Sequence, residues 1–157
     1  MAMNKGIYDI LLSITEPEQA LQTRKNISVS EGRSIYIASI NPERKVTVFP
    51  VDGKLITEGQ RCDKLILSQY NNSEKEWIGH FVELKGCRIS DAITQLEATI
   101  SNKMFVDTSL KQKHARIVGH KYPSNAGNPE MERARKKFIK KYNCELKCFK
   151  PKQVDKI

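Results

Sequence analysis

Alternating apolar and polar positions dominate the first half of the chain, and helical spacing of apolar residues is more frequent in the second half. Alternation is typical of strands, whereas apolar residues three and four apart are typical of helices. The predicted strands are Ser34–Ile40, Lys45–Phe49 and residues 61–70, 77–86, 113–122 and 144–149. With the predicted helices, they indicate an α/β protein in which helices pack on a mixed sheet.

Three segments carry the signals of helix starts. Thr15, with a glutamate three residues later, forms a capping box that predicts a short helix to about Arg24. Ser90 is placed to cap a second helix, whose apolar residues are spaced three and four apart to residue 100. Asn128 and the following proline predict a long helix to about Tyr142, and a short strand follows it.

The length and composition fit one soluble domain that covers residues 1–157. Hydrophobic residues make up 39% of the 157 and charged residues 29%, as is ordinary for globular proteins. No apolar run approaches the roughly 20 residues that span a bilayer, so we expect no membrane insertion. Four cysteines without metal-ligand spacing indicate reduced thiols, and therefore a cytoplasmic protein.

The positive charge lies in the last third of the chain. The net charge is +9, and residues 101–157 hold 15 Lys or Arg against five Asp or Glu. A basic segment beside a balanced one indicates a polyanionic partner, nucleic acid first and a membrane surface second. The alternative at this point is a solvated lysine-rich helix.

An acid and a base interrupt the apolar strand "HFVELKG". Alternate residues share a strand face, so Val82 and Leu84 face one way while Glu83 and Lys85 face the other. If this strand pairs antiparallel with the preceding one, Asp63 comes level with Glu83. Two carboxylates and an ammonium group then meet at one end of one face.

This grouping suits metal-dependent phosphodiester hydrolysis. Mg²⁺ prefers oxygen ligands and is commonly held by one or two carboxylates together with phosphate and water. Asp63 and Glu83 are the candidate ligands for Mg²⁺ or Mn²⁺, with the backbone carbonyl of Leu84 as a third. Lys85 is placed to position the attacking water and to stabilise charge on the phosphate.

Asp63, followed on the next strand by Glu83-x-Lys85 and then by a helix, resembles the PD-(D/E)XK nuclease superfamily. The resemblance covers residues 34–122 and implies a restriction-endonuclease-like αβββαβ core, Mg²⁺-dependent cleavage of DNA, and a homodimer. Gln95 lies on the next helix, where some members carry a functional glutamine. The chain departs from the family pattern at Cys62, which replaces a proline, and at Thr99, which replaces a tyrosine.

Other candidate residues follow from the resemblance and from the charge. The first helix of the superfamily often supplies a further acid, and Glu16, Glu18 and Glu31 all stay open for that role. The candidate nucleic-acid contacts are Lys113, His114, Arg116, Lys121, Arg133, Lys136, Lys137 and Lys140. His80 shares the parity of the buried residues of its strand, which favours a core histidine over a ligand.

The main alternative is a non-catalytic module on the same fold that binds nucleic acid or a protein. On that hypothesis Glu83 and Lys85 form an ion pair on a solvated strand face. A protein that binds membranes or acidic partners through its basic helix is the last alternative, because that helix lacks the exposed apolar face that such binding needs.

Overall fold

The computed structural model describes residues 6–84, 88–119 and 128–157, which form an α/β fold around a mixed seven-stranded sheet. The helices are α1 Ile7–Leu12, α2 Ile89–Ile100 and α3 Pro129–Tyr142, with a 3₁₀ turn at Lys103–Phe105. The strands are β1 Gln19–Glu31, β2 Ser34–Pro50, β3 Lys64–Gln69, β4 Trp77–Glu83, β5 Leu110–Val118, β6 Cys144–Phe149 and β7 Val154–Lys156.

The sheet runs from β1 to β6 in chain order, and β7 adds to β2 outside this path. Strands β2, β3 and β4 are antiparallel neighbours, whereas β5 and β6 continue parallel to β4. In the β3–β4 pair, Lys64 lies opposite Val82 and Gln69 opposite Trp77, which confirms the predicted pairing. One step further along this register, Asp63 comes opposite Glu83.

The central strands of the sheet are covered on both faces. We call the side beneath the three helices the helix face, which includes Leu65, Phe81, Leu96 and Phe138. The opposite side is the ribbon face, where the β1–β2 ribbon packs over the following cluster: Ile27, Tyr36, Ile66, Val82 and Val118. Every position of β3 is buried and β4 is almost entirely so, which confirms that the "HFVELKG" stretch is covered over its described residues 80–84.

The prediction for the N-terminal segment is wrong. The expected helix from Thr15 to Arg24 is largely the first half of β1, in which Gln19 pairs with Val48. The two strands expected within residues 34–49 are a single strand, β2. The ribbon changes register at residues 40–43, between the pairs Arg24–Arg44 and Asn26–Ser39, and irregularities of this kind bend a strand.

The two later helices agree well with prediction. Asn128 caps α3 through its side chain, which accepts a hydrogen bond from the Met131 amide, and the helix ends at Tyr142 as expected. Helix α2 begins at Ile89, so Ser90 lies in its first turn and does not cap it. No helix in the described ranges is long and apolar enough to cross a bilayer.

Candidate active site

The structure brings three predicted site residues together in one polar pocket of about 280 Å³. The pocket lies on the helix face, where β3 begins and β4 ends. Its lining consists of Asp52, Gly59, Gln60, Arg61, Asp63, Glu83 and Gln95. The acidic residues therefore come from the β2–β3 loop, from the residue before β3 and from the end of β4, while Gln95 comes from α2.

Asp63 is held firmly by the strands on either side of it. Its amide donates to the Val82 carbonyl at 3.1 Å, and its own carbonyl accepts from the Val51 amide at 3.0 Å. Its carboxylate Oδ2 accepts a hydrogen bond from the Leu84 amide at 2.7 Å. These contacts fix the side chain at the pocket with only 4% of the residue exposed.

Glu83 occupies the last position of β4 and is 2% exposed. It shares the parity of Phe81, so the strand directs it to the helix face, as Asp63 is directed by its parity with Leu65. Two nearly buried carboxylates on adjacent strands therefore line the same pocket. Burial of two acids side by side is costly unless charge or hydrogen bonding compensates, and such arrangements are concentrated at functional sites.

A single hydroxyl connects α2 to the start of β3. Thr99 Oγ1 accepts a hydrogen bond from the Cys62 amide at 2.8 Å and donates to the Gln95 carbonyl at 2.8 Å. This bridge fixes the turn of α2 that carries Gln95 against the residue that precedes Asp63. Thr99 therefore links α2 to the start of β3, a structural role that the sequence did not reveal.

The Cys62 thiol is fully buried beside the two acids. Burial raises its pKa, and the charges of Glu83 and Asp63 raise it further, so the group stays protonated at neutral pH. A protonated thiol is a poor metal ligand and a poor nucleophile. Cys62 is therefore a core residue that separates α2 from the strands.

The sequence reasoning missed the Asp52–Arg61 pair at the rim of the pocket. Arg61 Nε lies 2.7 Å from Asp52 Oδ1, and the guanidinium also donates to the Gly59 carbonyl at 2.8 Å. Both residues belong to the β2–β3 connection, which has no regular periodicity. The available sequence signals were the turn "VDG" and an arginine two residues before Asp63. Neither signal on its own indicates a functional site.

The donor set fits a hard divalent cation rather than zinc. No group of three or more His, Cys, Asp or Glu side chains within the described ranges is arranged to hold a metal ion. Asp63 and Glu83 offer carboxylate oxygens in a polar pocket, and Mg²⁺ commonly uses one or two carboxylates with water and phosphate for the remaining positions. The contact recorded for Leu84 is through its amide, and ligation by its carbonyl stays a prediction.

The remaining predicted residues are either outside the described part of the chain or away from the pocket. Lys85 and Lys121 fall outside the described residues. Glu18 and Glu31 both form salt bridges with Lys64, whose parity directs it to the ribbon face. The structure therefore places these two acids away from the pocket, and Glu16 is exposed and outside its lining.

Arg116, predicted to contact nucleic acid, is instead 1% exposed and serves the fold. Its guanidinium donates to Asp155 Oδ2 at 2.6 Å and to Glu145 Oε1 at 2.8 Å. Tyr36 donates its hydroxyl to the same Asp155 carboxylate. The small strand β7 thus supplies the counter-ion for an arginine buried on β5.

Two further predicted contacts on β5 are also partly enclosed. Lys113 Nζ reaches the Ile100 carbonyl at the C-terminal end of α2, at 3.5 Å, where a cation is favourable. The His114 ring stands edge-on to His80, with 5.0 Å between ring centroids. Burial lowers the pKa of both Lys113 and His114, which weakens their use as phosphate contacts.

The cations of α3 are presented to solvent. Met131, Ala134 and Phe138 face the core, and the opposite side of the helix carries the predicted contacts Arg133, Lys136, Lys137 and Lys140. Lys137 forms a salt bridge with Glu97 of α2, with a shortest Nζ–Oε distance of 2.9 Å. The other three are exposed, as a basic surface for a phosphate backbone requires.

Comparisons with protein-family models, with curated proteins and with solved structures found no match for this chain.

Proposed function

We propose that this protein is a Mg²⁺- or Mn²⁺-dependent nuclease of the PD-(D/E)XK type that hydrolyses phosphodiester bonds in DNA. The observation that carries the proposal is the meeting of Asp63 and Glu83, nearly buried, with Gln95 in one polar pocket. The sequence of elements supports the αβββαβ core: α1, the antiparallel strands β2 to β4, α2, and β5 parallel to β4. Strand β1 is then an addition between α1 and the core.

The roles of the residues follow from their chemistry. Asp63 and Glu83 would hold the ion, which supplies a more acidic water and stabilises charge on the scissile phosphate. Gln95 offers an amide that can donate to a phosphate oxygen or orient the attacking water. In the hydrolysis, the water gives up a proton and its oxygen bonds to phosphorus, the bond to the leaving oxygen breaks, and the leaving oxygen takes up a proton. Lys85 is the proposed group that stabilises the charge in this step.

The exposed cations of α3 support nucleic acid as the substrate. Arg133, Lys136 and Lys140 lie along one solvent-facing side of a helix that packs beside α2. Contacts of this kind position a phosphate backbone without reading its sequence. A homodimer, in which each subunit cuts one strand of a duplex, belongs to the same proposal.

The test is cleavage of supercoiled plasmid, a single strand and a branched junction with Mg²⁺, Mn²⁺ or EDTA. We expect metal-dependent cleavage by the wild type and a loss of about a hundredfold in Asp63→Asn and Glu83→Gln, because each removes the charge of a proposed metal ligand. Glu58→Gln is the matched control, since Glu58 is an exposed carboxylate in the loop before Asp63 and does not line the pocket. Its activity should equal that of the wild type.

Two results would contradict the proposal. Retained cleavage in a folded Asp63→Asn variant would exclude the metal role of this pocket. Salt-sensitive DNA binding without cleavage of any substrate, equal in wild type and variants, would favour the non-catalytic binding module.

A further inference from the structure

A second cleft, of about 390 Å³, opens at the other end of β3. Arg44, Gln69 and Tyr70 line it where β3 turns into β4. Six strand residues separate this end from Asp63, or about 20 Å at the usual rise per residue. The cleft therefore lies apart from the carboxylate pocket.

Arg44 is a buried cation whose donors are incompletely used. It is 9% exposed, its Nη1 donates to the Pro42 carbonyl at 3.0 Å, and its Nη2 reaches Ser68 Oγ at 3.4 Å. Its Nε has no hydrogen-bond partner, and no carboxylate in the described ranges forms a salt bridge with it. Buried charges are normally paired, and here burial alone lowers the pKa of Arg44.

Two histidines near Arg44 also carry ring nitrogens without hydrogen-bond partners. Ser68 Oγ also bonds to His80 Nε2 at 3.0 Å, while Nδ1 of His80 and Nδ1 of His114 are buried without a partner. Arg116 on the same face provides the contrast, because Asp155 and Glu145 occupy its guanidinium. Unlike Arg116, Arg44 has no Asp or Glu side chain bonded to it in the described ranges, and an oxyanion in the cleft would supply that charge.

The rim of the cleft is made of neutral groups suited to a small organic ligand. Asn71, Asn72 and Gln112 offer amide donors and acceptors, and the partly buried Tyr70 offers an aromatic surface. The cleft lining contains no aspartate or glutamate, and it includes Ile157, whose carbonyl oxygen accepts from the Asn41 amide at 3.1 Å. The volume lies in the range of small-molecule sites.

We propose that this cleft binds a phosphate group, either free or carried by a small molecule of mononucleotide size, with Arg44 as its charged anchor. The proposal is independent of nuclease activity and is tested in EDTA. The probes are inorganic phosphate, adenosine monophosphate and adenosine, titrated by calorimetry and by amide chemical shifts.

We expect saturable binding of adenosine monophosphate, weaker binding of phosphate and none of adenosine, with shifts concentrated in residues 69–72. Arg44→Gln should weaken binding about tenfold or more, as loss of a charge-assisted hydrogen bond implies. Arg44→Lys should retain part of the affinity. Arg33→Gln is the matched control because Arg33 is exposed on the β1–β2 turn, and its affinity should not change.

Unchanged affinity in Arg44→Gln, equal binding of adenosine, or shifts that map away from residues 69–72 would overturn the proposal. If Arg44→Gln does not fold, Arg44→Lys and the wild-type shift map decide the matter. Tight binding of inorganic phosphate alone would identify the free ion as the ligand. Asp63→Asn should bind the probes like the wild type, which separates this cleft from the proposed nuclease.

Discussion

The two faces of the central sheet bury opposite charges in different ways. On the helix face, Asp63 and Glu83 are nearly buried yet line a pocket. On the ribbon face, Arg116 is equally buried but is bonded to Asp155 and Glu145. Strand alternation separates these charges onto the two faces. The comparison teaches that equally buried charges can differ in two other respects, their access to a cavity and the partners to which they are bonded.

The largest expected loss of stability comes from removal of Asp155, the counter-ion of Arg116 on the ribbon face. Asp155→Asn leaves the Arg116 guanidinium buried without its main charge partner, and loss of one member of such a pair costs about 3–5 kcal/mol. Urea denaturation followed by circular dichroism measures the loss in the free energy of unfolding.

Two variants sharpen this comparison. Glu145→Gln removes the half-exposed partner of the same arginine and should cost less than about 1 kcal/mol. Asp63→Asn, on the opposite face, should change stability by less than about 1 kcal/mol, because asparagine can still accept from the Leu84 amide. If Asp63→Asn lowers the free energy of unfolding as much as Asp155→Asn does, the proposed difference between the two faces is wrong.

The next effect concerns the hydroxyl that holds the helix face together. Thr99→Val keeps the shape of the side chain but leaves the buried Cys62 amide without an acceptor, at a cost of about 1–3 kcal/mol. Thr94→Val is the control, since the Thr94 hydroxyl bonds to the Ser90 carbonyl on the exposed side of the same helix. Thermal unfolding should separate the two variants, and equal melting temperatures would argue against a special role for Thr99.

A pH effect should follow from the buried histidines of the ribbon face. Burial, with added repulsion from His114, Arg116 and Arg44, holds the pKa of His80 well below its usual value, and burial also lowers that of His114. The native state therefore keeps these rings neutral. The unfolded chain binds protons near pH 6.5, so stability is present above that pH and is lost as the pH falls below it.

The expected loss is up to about 1.4 kcal/mol per pH unit for each histidine in the window between its native pKa and 6.5. Urea denaturation at pH 7.5, 6.5 and 5.5 measures it. His80→Gln and His114→Gln should each flatten the profile. A wild-type profile that rises towards acid pH would show that these rings are charged in the native state.

The smallest effect is that of individual surface cations on DNA affinity. Each of Arg133→Gln, Lys136→Gln and Lys140→Gln should reduce the slope of log K against log salt by about 0.9 if its side chain contacts a phosphate. Lys25→Gln and Arg33→Gln, on the exposed side of the ribbon, should leave the slope unchanged. Fluorescence anisotropy with a labelled duplex measures both sets of variants. If the α3 variants have the same slope as the wild type, α3 is not the surface that binds DNA.

The elements that could be predicted are those defined by the local sequence pattern. Helix α3 was predicted because Asn128 and Pro129 mark its start and its apolar residues repeat at helical spacing. The β3–β4 pairing followed from two apolar runs separated by a short polar loop. Strand β1 was missed because its pairing with β2 overrides the helix-start signal at Thr15. Strand β7 has three residues, and only its contacts with β2 define it.

The site shows the same division. Parity and register were sufficient to bring Asp63 level with Glu83, and Gln95 joined them because α2 follows directly on β4. Arg61 and Asp52 come from an irregular loop, whose path depends on tertiary contacts. The burial of Arg116 could not be predicted, because its counter-ion lies 39 residues further along the chain, on a strand that no sequence pattern predicted.

That separation has a consequence during protein synthesis. Arg116 leaves the ribosome 39 residues before Asp155, a delay of roughly 2 to 8 seconds at ordinary translation rates. Throughout that interval the nascent sheet holds a cation that it cannot bury at low cost. We therefore expect the ribbon face to close late, after β7 has been synthesised, and the emerging chain to be most dependent on chaperones just before that moment.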